Sequence, residues 1–180
     1  MKKIIITAVG FFLMASTAFA QKPVEVGGAL MYPTKNIIEN AVNSKDHTTL
    51  VAAVKAAGLV ETLQSAGPFT VFAPTNAAFA KLAAGTVDNL LKPENKATLT
   101  AVLTYHVVAG KISSADVVKA IKAGNGKAEF KTVQGAMLTA MMSGKDVVLK
   151  DAKGNTSKIT IMDVNQSNGV IHVIDTVVMP

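Results

Sequence analysis

The sequence predicts an α+β fold, with helices in the first two thirds of the chain and strands in the last third. Between residues 34 and 124, apolar residues recur at three- and four-residue steps, which indicates amphipathic helices. From Ala128 onwards, apolar and polar residues alternate, which is typical of half-buried strands. Because helices come first and strands last, an alternating α/β arrangement is not expected, and no internal repeat or linker divides the chain.

Residues 1–20 have the pattern of a secretory signal peptide. Lys2 and Lys3 form a basic start, residues 4–15 are apolar, and the Ala-Phe-Ala at 18–20 suits cleavage after Ala20. The apolar run is short for a membrane span, so no stable membrane insertion is expected. We therefore predict a secreted or periplasmic protein whose mature chain begins at Gln21. Removing Lys2 and Lys3 lowers the formal charge from +6 to +4.

Residues 21–33 contain two glycines and two prolines and are predicted to be a loosely held lead-in, so the folded domain should cover residues 34–180. Thr34 is the expected N-cap of a first helix whose buried face is formed by Ile37, Ile38, Ala41 and Val42. A second helix is predicted from about Thr48 to Gly58, followed by one or two helical turns over residues 59–64.

Residues 67–79, GPFTVFAPTNAAF, predict a strand that turns directly into a helix. Phe69–Phe72 alternates large apolar and β-branched residues, and Pro74 ends the strand because it has no N–H to donate. Thr75 and Asn76 can accept from the free N–H groups of the next helix. Such a corner can hold an anion, but no glycine-rich cradle or cationic pair accompanies it, so we predict a structural role.

Three further helices are predicted over residues 86–91, 94–108 and 113–124. The second has the clearest pattern, and Ser113 with Asp116 has the spacing of a capping box at the start of the third. Five strands are predicted at 128–133, 136–142, 147–150, 158–162 and 170–178, with a hairpin turn at 151–155. The last strand is apolar on both faces except at three positions, so it is predicted to be an inner strand.

The composition excludes several classes of function. The chain has no cysteine, so an exported protein of this sequence depends on a packed core. All its basic residues are lysines, and they are scattered; the absence of arginine argues against nucleic-acid binding. With no tryptophan and two tyrosines, an aromatic platform for sugars is not expected.

The titratable residues form no recognisable catalytic set. His172 and Asp175 are three apart in a strand and should point to opposite faces. His106 lies on an apolar helix stripe and is predicted to be buried and neutral, whereas His47 is predicted to be exposed. The sequence has no zinc-ligand spacing, phosphate loop or GxSxG elbow, and Met137, Met141 and Met142 are expected to pack in the core. We therefore predict no catalytic residue, cofactor or metal.

Three segments together resemble the fasciclin domain, a family of extracellular cell-adhesion modules. They are TVFAPTNAAF at 70–79, YHVVAGK at 105–111 and SNGVIHVIDTVVMP at 167–180. The resemblance implies a fasciclin-type fold, in which an antiparallel β-wedge or sandwich has several helices packed around it. It also implies a single-domain secreted bacterial member, similar to the mycobacterial secreted antigens of the family.

The resemblance also suggests a partner-binding region. In animal members, a tyrosine–histidine pair and an Asp-Ile element before the last strand are associated with integrin-type adhesion. The matching positions here are Tyr105, His106, Asp163 and Val164. Valine replaces the isoleucine, and Ile-Met at 161–162 replaces the preceding Glu-Pro. A partner-facing surface is therefore expected around Tyr105 and a turn from Asp163 to Asn168, with a partner other than an integrin.

Three hypotheses about function follow from the sequence. The first is a monomeric, non-enzymatic interaction or adhesion module that binds a surface protein or an envelope or matrix polysaccharide. The second is a protein that binds a small apolar ligand, such as a lipid, between the helices and the sheet. The third, an enzyme, has only the neighbouring Tyr105 and His106 to recommend it.

Overall fold

The computed structural model describes residues 21–180, so the predicted signal peptide lies outside the described residues. Short 3₁₀ turns cover Lys45–His47 and Pro93–Asn95. The other elements, in chain order, are β1 (Val24–Val26), β2 (Ala29–Met31), α1 (Ile37–Ala41), α2 (Thr48–Ala57), α3 (Val60–Gln64), β3 (Phe69–Pro74), α4 (Asn76–Ala80), α5 (Thr86–Leu90), α6 (Lys96–Tyr105), β4 (Val107–Ala109), α7 (Ser114–Ala123), β5 (Lys127–Lys131), β6 (Met137–Ser143), β7 (Asp146–Lys150), β8 (Thr156–Gln166) and β9 (Gly169–Ile174).

A seven-stranded sheet with the order β4-β3-β9-β8-β7-β6-β5 forms the centre of the fold, which confirms the predicted α+β class. Its strand pairs are antiparallel except for one: β3 and β9 run parallel, with Phe69 opposite Gly169. A parallel pair needs a long crossover connection, which the helices and strands between these two supply. The antiparallel arrangement implied by the resemblance is thus confirmed for the other pairs of the sheet, and β3 with β9 is the exception.

Strand β9 separates two apolar clusters, because its successive side chains point to opposite faces. Ile171 and Val173 belong to a first cluster covered by α1, α2 and α6, while Ile174 belongs to a second cluster under α7. Every residue of β9 is buried. The predicted inner strand is therefore confirmed, although it ends at Ile174 rather than at residue 178.

The N-terminal region differs from the prediction. Residues 24–31 form a hairpin of β1 and β2, and Val26 and Met31 are buried in the first cluster, so this segment is not a loosely held lead-in. The cap of α1 is Asn36 and not Thr34. The Asn36 side chain accepts from the backbone N–H of Glu39, whose carboxylate accepts from the N–H of Asn36, and this reciprocal pair completes a capping box.

Other helix ends follow their local signals. Thr75 caps α4 by accepting from the N–H of Ala78 at 3.2 Å, and Ser113 with Asp116 forms the predicted capping box of α7. Gly58 ends α2 in a left-handed conformation with φ of 74°. Because the N–H of Phe72 donates to the carbonyl of His106 and β4 pairs with β3, α6 ends at Tyr105 rather than at residue 108.

The methionines of β6 were expected in the core, and this is wrong for two of them. Met137 is 44% exposed and Met142 is 39% exposed. Because they are five residues apart, they lie on opposite faces of β6. Met142 lies on the inner face beyond the cover of α7, and Met137 lies on the outer face. No helix within residues 21–180 is long and apolar enough to cross a bilayer.

Candidate functional site

Tyr105, the last residue of α6, is fully buried in the second apolar cluster. Its hydroxyl donates to the carbonyl of Met137 at 2.8 Å and accepts from the N–H of Ala152 at 3.1 Å. Burial raises the pKa of this phenol, so it stays protonated and available as a donor. The ring therefore ties the end of α6 to β6 and to the turn between β7 and β8.

His106 follows directly and is 2% exposed. Its Nδ1 lies 2.8 Å from the carbonyl of Val102, and its Nε2 lies 3.3 Å from the N–H of Val178. A carbonyl can only accept and an N–H can only donate, so Nδ1 carries the proton and the ring is neutral. Burial lowers the pKa of His106 to about 4. The predicted buried, neutral histidine satisfied by a backbone carbonyl is confirmed.

Asp163 lies within β8, where the pairing with β9 shifts register, and has a left-handed backbone with φ of 57°. Its carboxylate accepts from the backbone N–H of Ser114 at 2.7 Å and also from the Ser114 hydroxyl. Aspartate tolerates this conformation better than most residues because its side chain can bond locally. Asp163 thus holds the first residue of α7 against β8, and the adjacent Val164 is fully buried.

Asn168 lies in the two-residue turn between β8 and β9, and is 6% exposed. Its side-chain oxygen accepts from the N–H of Ile37, and its amide donates to the carbonyls of Leu63 and Ser65, both at 2.8 Å. One side chain therefore joins the start of α1 and the end of α3 to the central sheet. The turn that was expected to run from Asp163 to Asn168 is shorter, because residues 163–166 belong to β8.

The five positions predicted to face a partner do not form one exposed surface. Tyr105, His106, Val164 and Asn168 are buried, and Asp163 is half-buried. Their hydrogen-bond partners are also different groups in different parts of the fold. The geometry gives these side chains structural roles, and a direct contact with a partner stays a prediction.

The prediction that His47 is exposed is wrong, because the residue is only 1% exposed. Its Nδ1 lies 2.9 Å from the hydroxyl of Ser44. Its Nε2 lies near the Ala73 carbonyl but makes no hydrogen bond of ordinary geometry with any residue in the described range. Burial lowers the pKa of this ring. A histidine just ahead of a helix gives no local sign of burial; Asn76 creates it by bridging Lys45 and Thr49 from α4.

An apolar cavity of about 60 Å³ lies between the first helices and the sheet. His47 and His106 contribute to its lining, which is otherwise mainly aliphatic and includes Leu50, Val54 and Leu103. Thr62 and Val133 are exposed lining residues, so the lining reaches the surface there. The apolar ligand hypothesis places a ligand between the helices and the sheet, but no residue pattern marked this cavity.

Within residues 21–180, His172 and Asp175 do not form a catalytic relay. The two were expected on opposite faces of one strand, but Asp175 lies past the end of β9, where it pairs with Lys81 at 3.3 Å and makes no hydrogen bond to His172. Ser114 bonds to the carboxylate of Asp163, but Asp163 contacts His172 through its backbone N–H at 3.3 Å. The other ring nitrogen of His172 donates to the carbonyl of Ile112. Within residues 21–180, no group of His, Asp and Glu side chains could hold a metal ion.

Comparison with known proteins gives a consistent result. A family model described as the fasciclin domain matches residues 45–180. The chain is 47% identical over 169 residues to the Synechocystis protein sll1483, a match covering 93% of this chain and 86% of that protein. It is 34% identical over 166 residues to the cell surface glycolipoprotein MPB83 of Mycobacterium bovis, covering 89% of this chain and 68% of that one.

Among solved structures, the fold is similar to that of a FAS1 domain pair from the insect cell adhesion molecule Fasciclin I. The TM-score is 0.72 at 16% sequence identity. The match covers 81% of this chain and about half, 51%, of the insect chain. At this identity the likeness concerns the fold alone.

Proposed function

The chain belongs to the fasciclin domain family, and we propose that it acts as a non-enzymatic interaction module in the periplasm or outside the cell. Its partner would be a surface protein or an envelope or matrix polysaccharide. The observation that carries the proposal is the family match over residues 45–180, in a family of adhesion-type modules. The site geometry supports it, because the polar groups of the family motifs are engaged in holding the fold.

Two observations support export of the protein. Residues 1–20 have the composition of a signal peptide, and the similar mycobacterial protein MPB83 is a cell surface glycolipoprotein by name. The described domain has no cysteine, and its stability comes from two packed apolar clusters that need no disulfide.

We place the partner contact on exposed residues rather than on the buried motif. A side chain that is fully buried, such as Tyr105, can reach a partner only if the domain opens locally, and opening breaks its two hydrogen bonds. The motif would then act indirectly, by fixing the positions of the elements that carry the contact surface.

The test is binding of the purified mature domain to envelope fractions of the native organism. The proposal predicts saturable retention that an excess of unlabelled domain displaces. A control domain of the same size and net charge should not be retained at physiological salt, because scattered lysines alone give only weak, salt-sensitive attraction. Absence of saturable retention at every salt concentration would refute the interaction module.

The apolar cavity supports a second candidate function, binding of a small apolar ligand. Its lining is mainly aliphatic, and the Nε2 of His47, which makes no hydrogen bond within residues 21–180, offers a polar atom. However, the space of about 60 Å³ is smaller than the roughly 150 Å³ that accommodates benzene in an engineered cavity. A lipid therefore requires the helices to move apart, which ranks this function second. Native mass spectrometry after mild extraction decides it, because a bound ligand adds a discrete mass and an empty protein does not.

A further inference from the structure

A groove lies between helix α7 and the neighbouring ends of strands β6, β7 and β8. Its volume is about 540 Å³, within the roughly 300–1,000 Å³ of small-molecule pockets. The groove is separate from the apolar cavity but borders the family motif, because Met162 directly precedes Asp163 and Ser114, another lining residue, bonds to the Asp163 carboxylate. Its floor is apolar and consists of Val118, Met142, Val147 and Met162.

The floor is exposed because α7 covers only part of the sheet. Val117 and Ile121, four residues apart, hold the helix in the second cluster, and Val118 is turned about 100° away to one flank. On β6, Leu138, Ala140 and Met142 share one face; the first two are fully buried, whereas Met142 is 39% exposed. The apolar face of the sheet thus continues beyond the helix into the groove.

Lysines line both sides of this floor. Lys119 and Lys122 belong to α7, and Lys145 lies across the groove in the turn between β6 and β7. In the described part of the chain, the ion pairs are Lys81 with Asp175 and Lys158 with Asp146, so none of the three groove lysines is in one. The nearby carboxylate of Asp116 is held by Ser113 in the capping box. The groove therefore combines an apolar floor with three lysines that form no ion pair within residues 21–180, and Asp116, beside Lys119, offsets only part of their charge.

We propose that this groove binds an acidic segment of a partner protein, with an apolar side chain on the methionine floor and carboxylates beside the lysines. Methionine suits such a floor because its flexible, polarisable side chain adapts to irregular apolar groups. Positive charge on two opposite sides matches a segment with acidic residues on both sides of its apolar anchor. An amphiphile with a single head group would neutralise one side only, and a flat membrane surface would not reach a concave floor.

This proposal rests on the proposed function and names the chemistry of the partner. The experiment selects peptides from a random phage-displayed library on the immobilised mature domain. The enriched peptides should carry acidic residues on both sides of a large apolar residue. The double variant Lys122→Glu/Lys145→Glu should weaken the best peptide by about tenfold or more, because like charges then meet across the interface. The control Lys55→Glu/Lys92→Glu changes net charge equally at two exposed lysines elsewhere and should leave affinity within about twofold at physiological salt.

A second pair of variants tests the floor. Met142→Gln should weaken the peptide, whereas Met137→Gln changes an equally exposed methionine on the opposite face of the same strand and should not. The proposal is overturned if the enriched peptides are not acidic, or if either pair of variants binds alike. It is also overturned if phosphatidylglycerol vesicles bind the wild type, depend on the same lysines and displace the peptide.

Envelope retention, measured on the same proteins, separates the two levels of the proposal. Retention of the wild type with equal retention of Lys122→Glu/Lys145→Glu would contradict the groove while leaving the interaction module standing. No retention of any protein would contradict the interaction module itself.

Discussion

Replacing His106 by alanine should destabilise the domain more than replacing His47 does. Both rings are almost fully buried, at 2% and 1% exposure, so the volume removed and the cavity left behind are matched. The two sites differ in their hydrogen bonds. His106 pairs with the carbonyl of Val102 and the N–H of Val178, whereas His47 has one partner, the hydroxyl of Ser44.

The expected loss of stability depends on the polar groups that each substitution leaves without a hydrogen-bond partner. A buried polar group that loses its partner costs on the order of 1–3 kcal/mol. His106→Ala strands two backbone groups that cannot turn towards water, and Val178 is itself buried. His47→Ala frees one hydroxyl, which can rotate towards another acceptor. We therefore expect His106→Ala to lose at least about 1 kcal/mol more than His47→Ala.

Urea unfolding of the two variants beside the wild type measures this difference. With an unchanged slope, a shift in the midpoint reports stability directly. A difference of about 1 kcal/mol corresponds to roughly 2–4 °C in melting temperature for a domain of this size. Equal free energies of unfolding, or a larger loss for His47→Ala, would refute the hydrogen-bond assignment of His106.

Further predictions concern pH and two backbone positions. The pKa of His106 is about 4 in the folded state against about 6.5 in the unfolded chain, so the unfolded state binds more protons between these values. The contribution of His106 to the free energy of unfolding should therefore fall by about 3 kcal/mol as pH falls from 7 to 4, and His106→Phe should show a shallower slope in pH-dependent urea unfolding. Asp163→Ala should lower the free energy of unfolding by at least about 1 kcal/mol more than Asp163→Asn in the same assay, because alanine is disfavoured at positive φ and accepts no hydrogen bond from Ser114. Equal losses would contradict the role assigned to the Asp163 side chain. Gly169→Ala should destabilise the domain by about 1–3 kcal/mol, because a Cβ there would clash with the carbonyl of Phe69 in the parallel strand. The control Ser167→Ala changes an exposed residue and should be near neutral. A Gly169→Ala variant as stable as the wild type would show that β3 and β9 can separate.

Features with local causes could be predicted from the sequence. The corner after Pro74 and the capping box of Ser113 and Asp116 depend on residues within a few positions of one another, and both are present. The inner position of β9 followed from its apolar character on both faces. Likewise, the burial of His106 followed from its place on the apolar stripe of the helix predicted over residues 94–108, although α6 itself ends one residue earlier.

Features with distant causes could not be predicted. His47 is buried because Asn76, far along the chain, fixes the start of α2 against α4. Helix α6 ends early because the following residues pair with β3. Met142 was expected in the core, but the sequence could not show where the cover of α7 stops. The motif residues do not form one exposed surface for the same reason, because each of them makes long-range contacts with a different part of the fold.

We infer that the family motif holds the fold while an exposed face contacts the partner, and Tyr105→Phe separates these two roles. This variant keeps the buried ring and removes only the hydroxyl that bonds to Met137 and Ala152. Envelope retention of the folded variant is measured beside its free energy of unfolding. We expect a loss of about 1–3 kcal/mol in the free energy of unfolding with unchanged retention. Lost retention with unchanged stability would contradict it and make Tyr105 a contact residue.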